Sequence, residues 1–295
     1  MKAAESGVVT QLDTLVRLRA AARDVDFLPR QPSSSLLAGQ RASKLRGRGM
    51  DFEELRAYVP GDDVRRMDWR ATVRLGRPYV RSYREERDRP LLLLVDQRRS
   101  MFFGSREKMK SVAAAELAAL VAWRALARGD RVGALLFGEA QSWSFRPARS
   151  EAQVHRICEG LVASTRALLV PGTSGRDALA DALAAGQRLA PHDALIVVIS
   201  DFRSHSAEAD ERLRRLRAHN DLLLVWITDP LEQSLPARGA LPVTDGQRRF
   251  MLPTDDADFR KAFADEFTDE RARFDDFVRR SGGVGFELST ERDPA

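Results

Sequence analysis

A doubly wound α/β fold with a mostly parallel sheet is what this sequence predicts, and three observations predict it. From residue 91 onward, apolar runs of strand length alternate with segments of helical length. Two of those runs, Leu91–Val95 and Ala194–Ile199, are apolar without alternation, as strands buried on both faces are. Three strands then run straight into an aspartate, Asp96, Asp201 and Asp229, which gathers acidic residues at the carboxyl edge of the sheet.

An amphipathic helix over roughly Val8–Ala22 opens the chain. The breakers Gln31-Pro32-Ser33-Ser34-Ser35 come after it, so residues 1–40 read as a helix and linker. Residues 41–90 form an arginine-rich, glycine-punctuated segment expected to make a small β-rich layer. Within it Asp62 and Asp63 suit the cap of a short helix running through Trp69, and Tyr79–Tyr83 alternates like a half-buried strand. Residues 91–295 carry the α/β domain. Ser105 is expected to cap a long helix to Ala127, and strands come next at Val132–Phe137 and Gln141–Phe145. Ser150 caps the next helix, Arg176–Leu189 forms another, and Ala207–Ala218 comes after the strand Ala194–Ser200. Leu222–Thr228 is a further strand, Asp245-Gly246 turns a hairpin, a helix runs over Asp256–Arg280, and Val284–Leu288 closes the sheet.

Composition limits the functional classes. At 295 residues the chain buries one sizeable core with room for a smaller layer, and 43% hydrophobic with 31% charged residues is ordinary for a folded protein. The net charge of +5 comes almost wholly from arginine, since lysine occurs only at 2, 44, 108, 110 and 261. The 43 acidic residues are interspersed with the basic ones, so a solvated surface is the simpler reading than a phosphate-binding stripe. No run of about 18 apolar residues is present, so no membrane span is expected. Lys2, Glu5, Asp13 and Arg17 break up the N-terminus, unlike a signal peptide, and the single cysteine, Cys158, suits a reducing compartment; a cytoplasmic location is expected.

The chemistry concentrates in Asp96-Gln97-Arg98-Arg99-Ser100-Met101. Alternate residues of an extended loop leave on one side, so positions 96, 98 and 100 converge. Asp, Ser and Ser there, with a Thr and an Asp from two further loops, would make an oxygen cage of the kind Mg²⁺ requires.

This loop and the later Ile199-Ser200-Asp201-Phe202 resemble the metal-ion-dependent adhesion site of von Willebrand factor A domains. The stretch before it is more specific. Gly47-Arg48-Gly49-Met50-Asp51-Phe52, Leu55-Arg56, Tyr58, Pro60-Gly61-Asp62-Asp63-Val64-Arg65 and Met67-Asp68-Trp69-Arg70 are similar to the hallmark of the bacterial family called domain of unknown function 58. The resemblance covers roughly residues 40–230. It implies a von Willebrand A-like domain and, as a partner, a MoxR-type AAA+ ATPase. A family partnership of this kind points to assembly or maturation of another complex.

Two departures from the pattern matter. Arg98 stands where a serine hydroxyl should coordinate the metal, and a guanidinium has no lone pair to offer a cation. The threonine position falls on Asp177 in one register and on Thr173 in a looser one, and the sequence leaves both open. With Asp177, three carboxylates (Asp96, Asp177 and Asp201) would repel one another at one edge, and the fork of Arg98 could bind two of them in place of a metal. On this reading no cofactor is required. The alternative keeps a weakened magnesium site through Asp96, Ser100 and Asp201 while Arg98 points to solvent.

Other chemistries have little support. His155, His192, His205 and His219 have no zinc spacing, and no phosphate loop is formed at Gly129, Gly133 or Gly138. Ser100 has no nucleophile elbow, and Trp69, Trp123, Trp143 and Trp226 read as packing residues. The leading function is a non-enzymatic adaptor that presents the carboxyl edge to a protein partner. A magnesium-dependent hydrolase at Asp96 and Asp201 is the rival, and nucleic-acid binding through the arginines of residues 41–90 is a third reading.

Overall fold

The computed structural model describes residues 7–23, 50–59, 62, 64–85, 89–139, 141–170, 177–203, 206–237, 239–244 and 248–292. The hairpin turn at Asp245-Gly246 and the start of the 47–70 motif lie outside these residues. The chain divides into two compact units, Met1–Asp26 with Arg89–Ala295, and Phe27–Asp88.

In the smaller unit, β1 (Met50–Ala57) pairs antiparallel with β2 (Tyr79–Glu85). A 3-10 turn at Val64–Arg66 leads to α2 (Trp69–Leu75). The cap of α2 is Asp68, whose carboxylate accepts the Ala71 N–H at 3.0 Å, rather than Asp62, while Asp63 lies outside the described residues. Asp62 instead accepts the Val59 N–H at 2.9 Å and holds the Arg56 guanidinium through two bonds of 2.7 and 2.8 Å. Asp68 wins the cap because it immediately precedes the first turn, where orphan N–H groups point back at it. Trp69 therefore opens the helix instead of ending it, and at 66% exposure it is a surface residue, not a packing one.

The larger unit is built on a six-stranded sheet. Its strands are β3 (Leu91–Asp96), β4 (Val132–Phe137), β5 (Ser142–Ala148), β6 (Leu195–Ser200), β7 (Asp221–Thr228) and β10 (Val284–Ser289). The order across the sheet is β10-β7-β6-β3-β4-β5, with every pair parallel except β4–β5. The chain winds outward from β3 in one direction, returns to β6, and winds outward in the other. That is the doubly wound arrangement the sequence predicts, and its switch point lies between β3 and β6. Every residue of β3, β4 and β6 is buried, as parallel strands covered on both faces must be.

Helices cover both faces: α3 (Lys110–Ala127), α4 (Glu151–Ala167), α5 (Ala178–Leu189), α6 (Ala207–Arg217), the short α7 (Pro230–Gln233) and the long α8 (Ala257–Ser281). A separate hairpin of β8 (Ala240–Thr244) and β9 (Arg249–Pro253) precedes α8. The N-terminal helix α1 (Leu12–Ala21) packs on α3 within this unit instead of standing apart with a linker: Leu15 is fully buried and its carbonyl accepts the Trp123 indole N–H at 3.0 Å. The long helix starts at Lys110 behind Met109 rather than at Ser105, whose hydroxyl and N–H are both engaged by the Asp229 carboxylate, the N–H at 2.9 Å, so the hydroxyl is not left to cap a first turn.

Candidate functional site

The register of the sheet builds the site. Val95 of β3 lies opposite Ile199 of β6, so Asp96 and Ser200 leave the switch point side by side. Asp96 is fully buried and its Oδ2 accepts the Ser200 hydroxyl at 2.6 Å. Its Oδ1 accepts the Arg98 backbone N–H at 2.9 Å, which turns the loop and sends the Arg98 side chain back over the carboxylate.

Arg98 then grips Asp96. Its Nε lies 3.0 Å from both carboxylate oxygens, and Nη2 lies 2.7 Å from Oδ2. The same Nη2 reaches the Asp201 Oδ1 at 3.4 Å, and Nη1 meets the Arg203 carbonyl at 3.4 Å. The arginine is buried, not solvent-facing, with its side chain only 10% exposed.

A second cation, to which no sequence motif points, completes the arrangement. Lys110 Nζ donates to Asp201 Oδ2 at 3.2 Å and to Glu232 Oε1 at 2.8 Å, and no part of the Lys110 side chain reaches solvent. Lysine at the first position of a helix opposes the helix dipole, so only this acidic pair makes the placement tolerable. Glu232 in turn caps the Asp229 N–H at 3.0 Å, and Asp229 accepts from Ser105, Leu231 and the Thr290 hydroxyl. Arg203, partly exposed, lies 3.4 Å from Glu232 and from Glu270 of α8. Asp96, Asp201 and Glu232 thus face two buried cations, with Arg203 at the rim, while the fourth buried carboxylate, Asp229, is met by neutral N–H and hydroxyl donors.

The electrostatics reflect these pairings. Burial works to raise the Asp201 carboxyl, but the charges of Lys110 and Arg98 outweigh it and hold the group down to about 2. Burial raises the Asp96 carboxyl, against the pull of the Arg98 fork and the Ser200 hydroxyl. Lys110 and Arg98 are both pushed up by their acidic neighbours against the opposing effect of burial, so both remain cations.

Of the other expected residues, Ser100 sits in a 3-10 turn (Arg99–Met101), with its hydroxyl beside Asp201 but without a well-formed hydrogen-bond partner among the described residues. Asp177 does not pair with Arg98. It caps α5, one oxygen accepting the Ala180 N–H at 3.1 Å and the other buried without a partner among the described residues. Its place immediately before Ala178 gives it the helix's orphan N–H groups as nearer donors. Thr173 lies outside the described residues. Phe202, at φ 50, adopts a left-handed conformation that costs a non-glycine residue energy; its buried ring, packed at 5.2 and 5.6 Å from Phe274 and Phe277, offsets it.

The sequence signal for Lys110 is present but quiet. It is one of five lysines in an arginine-rich chain, at the head of a run of small apolar residues where a capping or acidic residue is the usual choice. Glu232 is legible only as a capping-box partner of Asp229.

Several known proteins are similar to this chain. The uncharacterized protein Rv1480 of Mycobacterium tuberculosis is 30% identical over 282 residues, covering 94% of this chain and 86% of that protein. The uncharacterized protein Mb1516 of Mycobacterium bovis matches to the same extent. Among solved structures, the conserved hypothetical protein BatB from Bacteroides thetaiotaomicron has a TM-score of 0.44 at 14% identity, covering 68% of this chain and 90% of that one. A von Willebrand factor type A protein from Catenulispora acidiphila has a TM-score of 0.35 at 13% identity, covering 73% of this chain and 41% of that one. It is the strand order, not these distant likenesses, that fixes the doubly wound fold. The model of the family described as protein of unknown function DUF58 matches residues 54–273, and the chain belongs to that family.

Proposed function

We propose that this chain is a non-catalytic protein-interaction module that presents the carboxyl edge of its sheet to a partner, with Arg98 and Lys110 taking the part of a metal ion. One observation carries this reading: both carboxylates at the switch point already have fixed internal cations. Arg98 takes both oxygens of Asp96 and one of Asp201, and Lys110 takes the other. A divalent ion needs those same oxygens and would face two buried positive charges on arrival, so the donor set as it stands does not suit Mg²⁺. The same pairing weighs against a hydrolase. An Asp201 held near 2 is a poor base at neutral pH, and His155 and His192 are engaged elsewhere, against Trp123 and Asp193.

The partner suggested by family resemblance is a MoxR-type AAA+ ATPase, in assembly or maturation of another complex. A cytoplasmic setting suits the buried, free Cys158, whose thiol burial pushes up to about 12, and no helix among the described residues is long and apolar enough to cross a membrane.

Calorimetric titration of magnesium tests the core of the reading. The wild type should give no saturable heat, whereas Arg98→Ser with Lys110→Met should gain stoichiometric binding. Clear one-to-one binding by the wild type sinks the proposal. Phosphatase or nuclease turnover that disappears in Asp96→Ala would replace it with the hydrolase. For the partner, native mass spectrometry of the mixed proteins should show a complex that Arg98→Glu weakens; a wild type that forms none removes the ATPase from the reading.

A further inference from the structure

The two edges of the six-stranded sheet differ. Strand β5 is blunted: it holds Arg146 and Pro147, its pairing with β4 slips between Val132 and Ala134, and the Arg146 carbonyl accepts the Gln153 amide at 2.8 Å. Strand β10, at the other edge, has none of these devices. Its residues, Val284-Gly285-Phe286-Glu287-Leu288-Ser289, include no proline, lysine or arginine, and its register with β7 is unbroken. A Cβ on Gly285 would come within 2.5 Å of Val278, and Glu287 pairs with Arg271, so the odd positions face α8. The even positions face the other way, where Val284 is 59% and Phe286 37% exposed. The Thr290 N–H donates to the Thr228 carbonyl at 2.9 Å, so even residues turn their N–H and C=O groups to β7, while Gly285 and Glu287 turn theirs outward. Among the described residues nothing bonds to those outward groups; the row ends at Ser289, whose carbonyl accepts the Arg292 N–H at 3.0 Å.

We infer that β10 pairs antiparallel with β10 of a second copy of this chain, across a two-fold axis that passes between the two Phe286 residues. The open backbone groups select this register. Gly285 of each copy lies opposite Glu287 of the other, and the two pairs exchange N–H and C=O bonds in both directions. Setting Glu287 opposite itself would oppose two carboxylates, and setting Gly285 opposite itself would leave the Glu287 groups without an open partner. In the chosen register Phe286 meets Phe286 at the close, non-hydrogen-bonded position, and Val284 meets Leu288. The one charge of the strand meets a residue with no side chain and keeps its own Arg271. That self-match favours a second copy over a foreign strand: both exposed apolar side chains find apolar partners, and no charge is left opposed. The seam is short, so the dimer is a weak one. It makes no use of the Asp96 cluster and stands or falls separately from it.

Sedimentation velocity of the full chain, from about 1 to about 500 μM, should show monomer passing to dimer with a micromolar dissociation constant. Phe286→Arg sets two guanidinium groups face to face across the axis and should weaken association by about tenfold or more. Thermal melting should confirm that this variant folds, since the position is partly exposed. Cross-linking tests the register. Phe286→Cys brings the two Cβ atoms to about 4.5–5.5 Å, near enough for oxidised glutathione to give a disulfide-linked dimer. Val284→Cys leaves its two thiols about 13 Å apart along the seam and should give none. The wild type is the control, because its one cysteine, Cys158, is buried. A wild type that stays monomeric throughout leaves the edge to a foreign strand and overturns the inference. So does a dimer that Phe286→Arg does not weaken, which would use another face. Cross-linking at position 284 as readily as at 286, or at neither, also overturns it.

Discussion

Asp96 is fully buried, and its ionised form depends on the guanidinium laid over it. Removing one partner of a buried pair leaves an uncompensated charge, which costs about 3–5 kcal/mol. Arg98→Ala is therefore expected to lose stability on that scale at neutral pH, read as a lower urea midpoint, with Arg98→Lys recovering part of it. A variant as stable as the wild type would show that the pair does not hold the loop. The pH dependence gives a second test, and its sign differs between the two carboxylates. Asp201 sits near 2, below its ordinary value of 3.8, so it contributes stability that is full above about pH 4 and lost as pH falls toward 2. Asp96 is raised by burial, so its contribution runs the other way and favours the folded state as pH falls. In Arg98→Ala the Asp96 carboxyl rises further, and the deficit against wild type should shrink between pH 7 and pH 4. A deficit that grows over that window would contradict the assignment of charge. Arg98 is legible in the sequence because it breaks a motif. Lys110 breaks none, and only its position against Asp201 and Glu232 gives it meaning.

Elements are legible where their period is undisturbed. The runs β3, β4 and β6 read as buried strands because helices cover both faces, and that leaves the residues no polar side to show. Strand β1 is not evident from its sequence, and its register explains why. The pairing with β2 slips between Phe52 and Glu54, so the apolar positions change from even (Met50, Phe52) to odd (Leu55, Ala57) halfway along. Helix α3 is expected one turn too early because Ser105 is a good cap by type, yet its hydroxyl is engaged by Asp229 from another loop. Packing between elements decides residue choice in the same way. A Cβ on Gly160 of α4 would come within 2.7 Å of the Phe145 ring on β5. Gly160→Ala should therefore destabilise by about 1–3 kcal/mol through overpacking, despite the better helix propensity of alanine. A raised melting temperature would show that the ring moves aside freely.

Across the whole molecule, the feature that the chain's linear order hides is the place of its first helix. α1 is separated from α3 by a long stretch of chain, yet Leu15 is fully buried and Trp123 donates to its carbonyl. Leu15→Ala should cost about 2–5 kcal/mol, and deletion of residues 1–23 should shift Trp123 emission to the red as water reaches the indole. Unchanged emission in the deletion would mean that α1 is an ornament on the core. The sequence by itself determined the alternation of strands and helices, the three aspartates at strand ends and the foreign arginine among them, because periodicity and motif are local properties. Tertiary structure alone decided that Arg98 folds onto Asp96 and Asp201, that Lys110 joins from α3, and that Asp177 stays with its own helix. Those outcomes depend on which loops the strand order brings together at the switch point, and on which donor reaches each carboxylate at hydrogen-bonding distance.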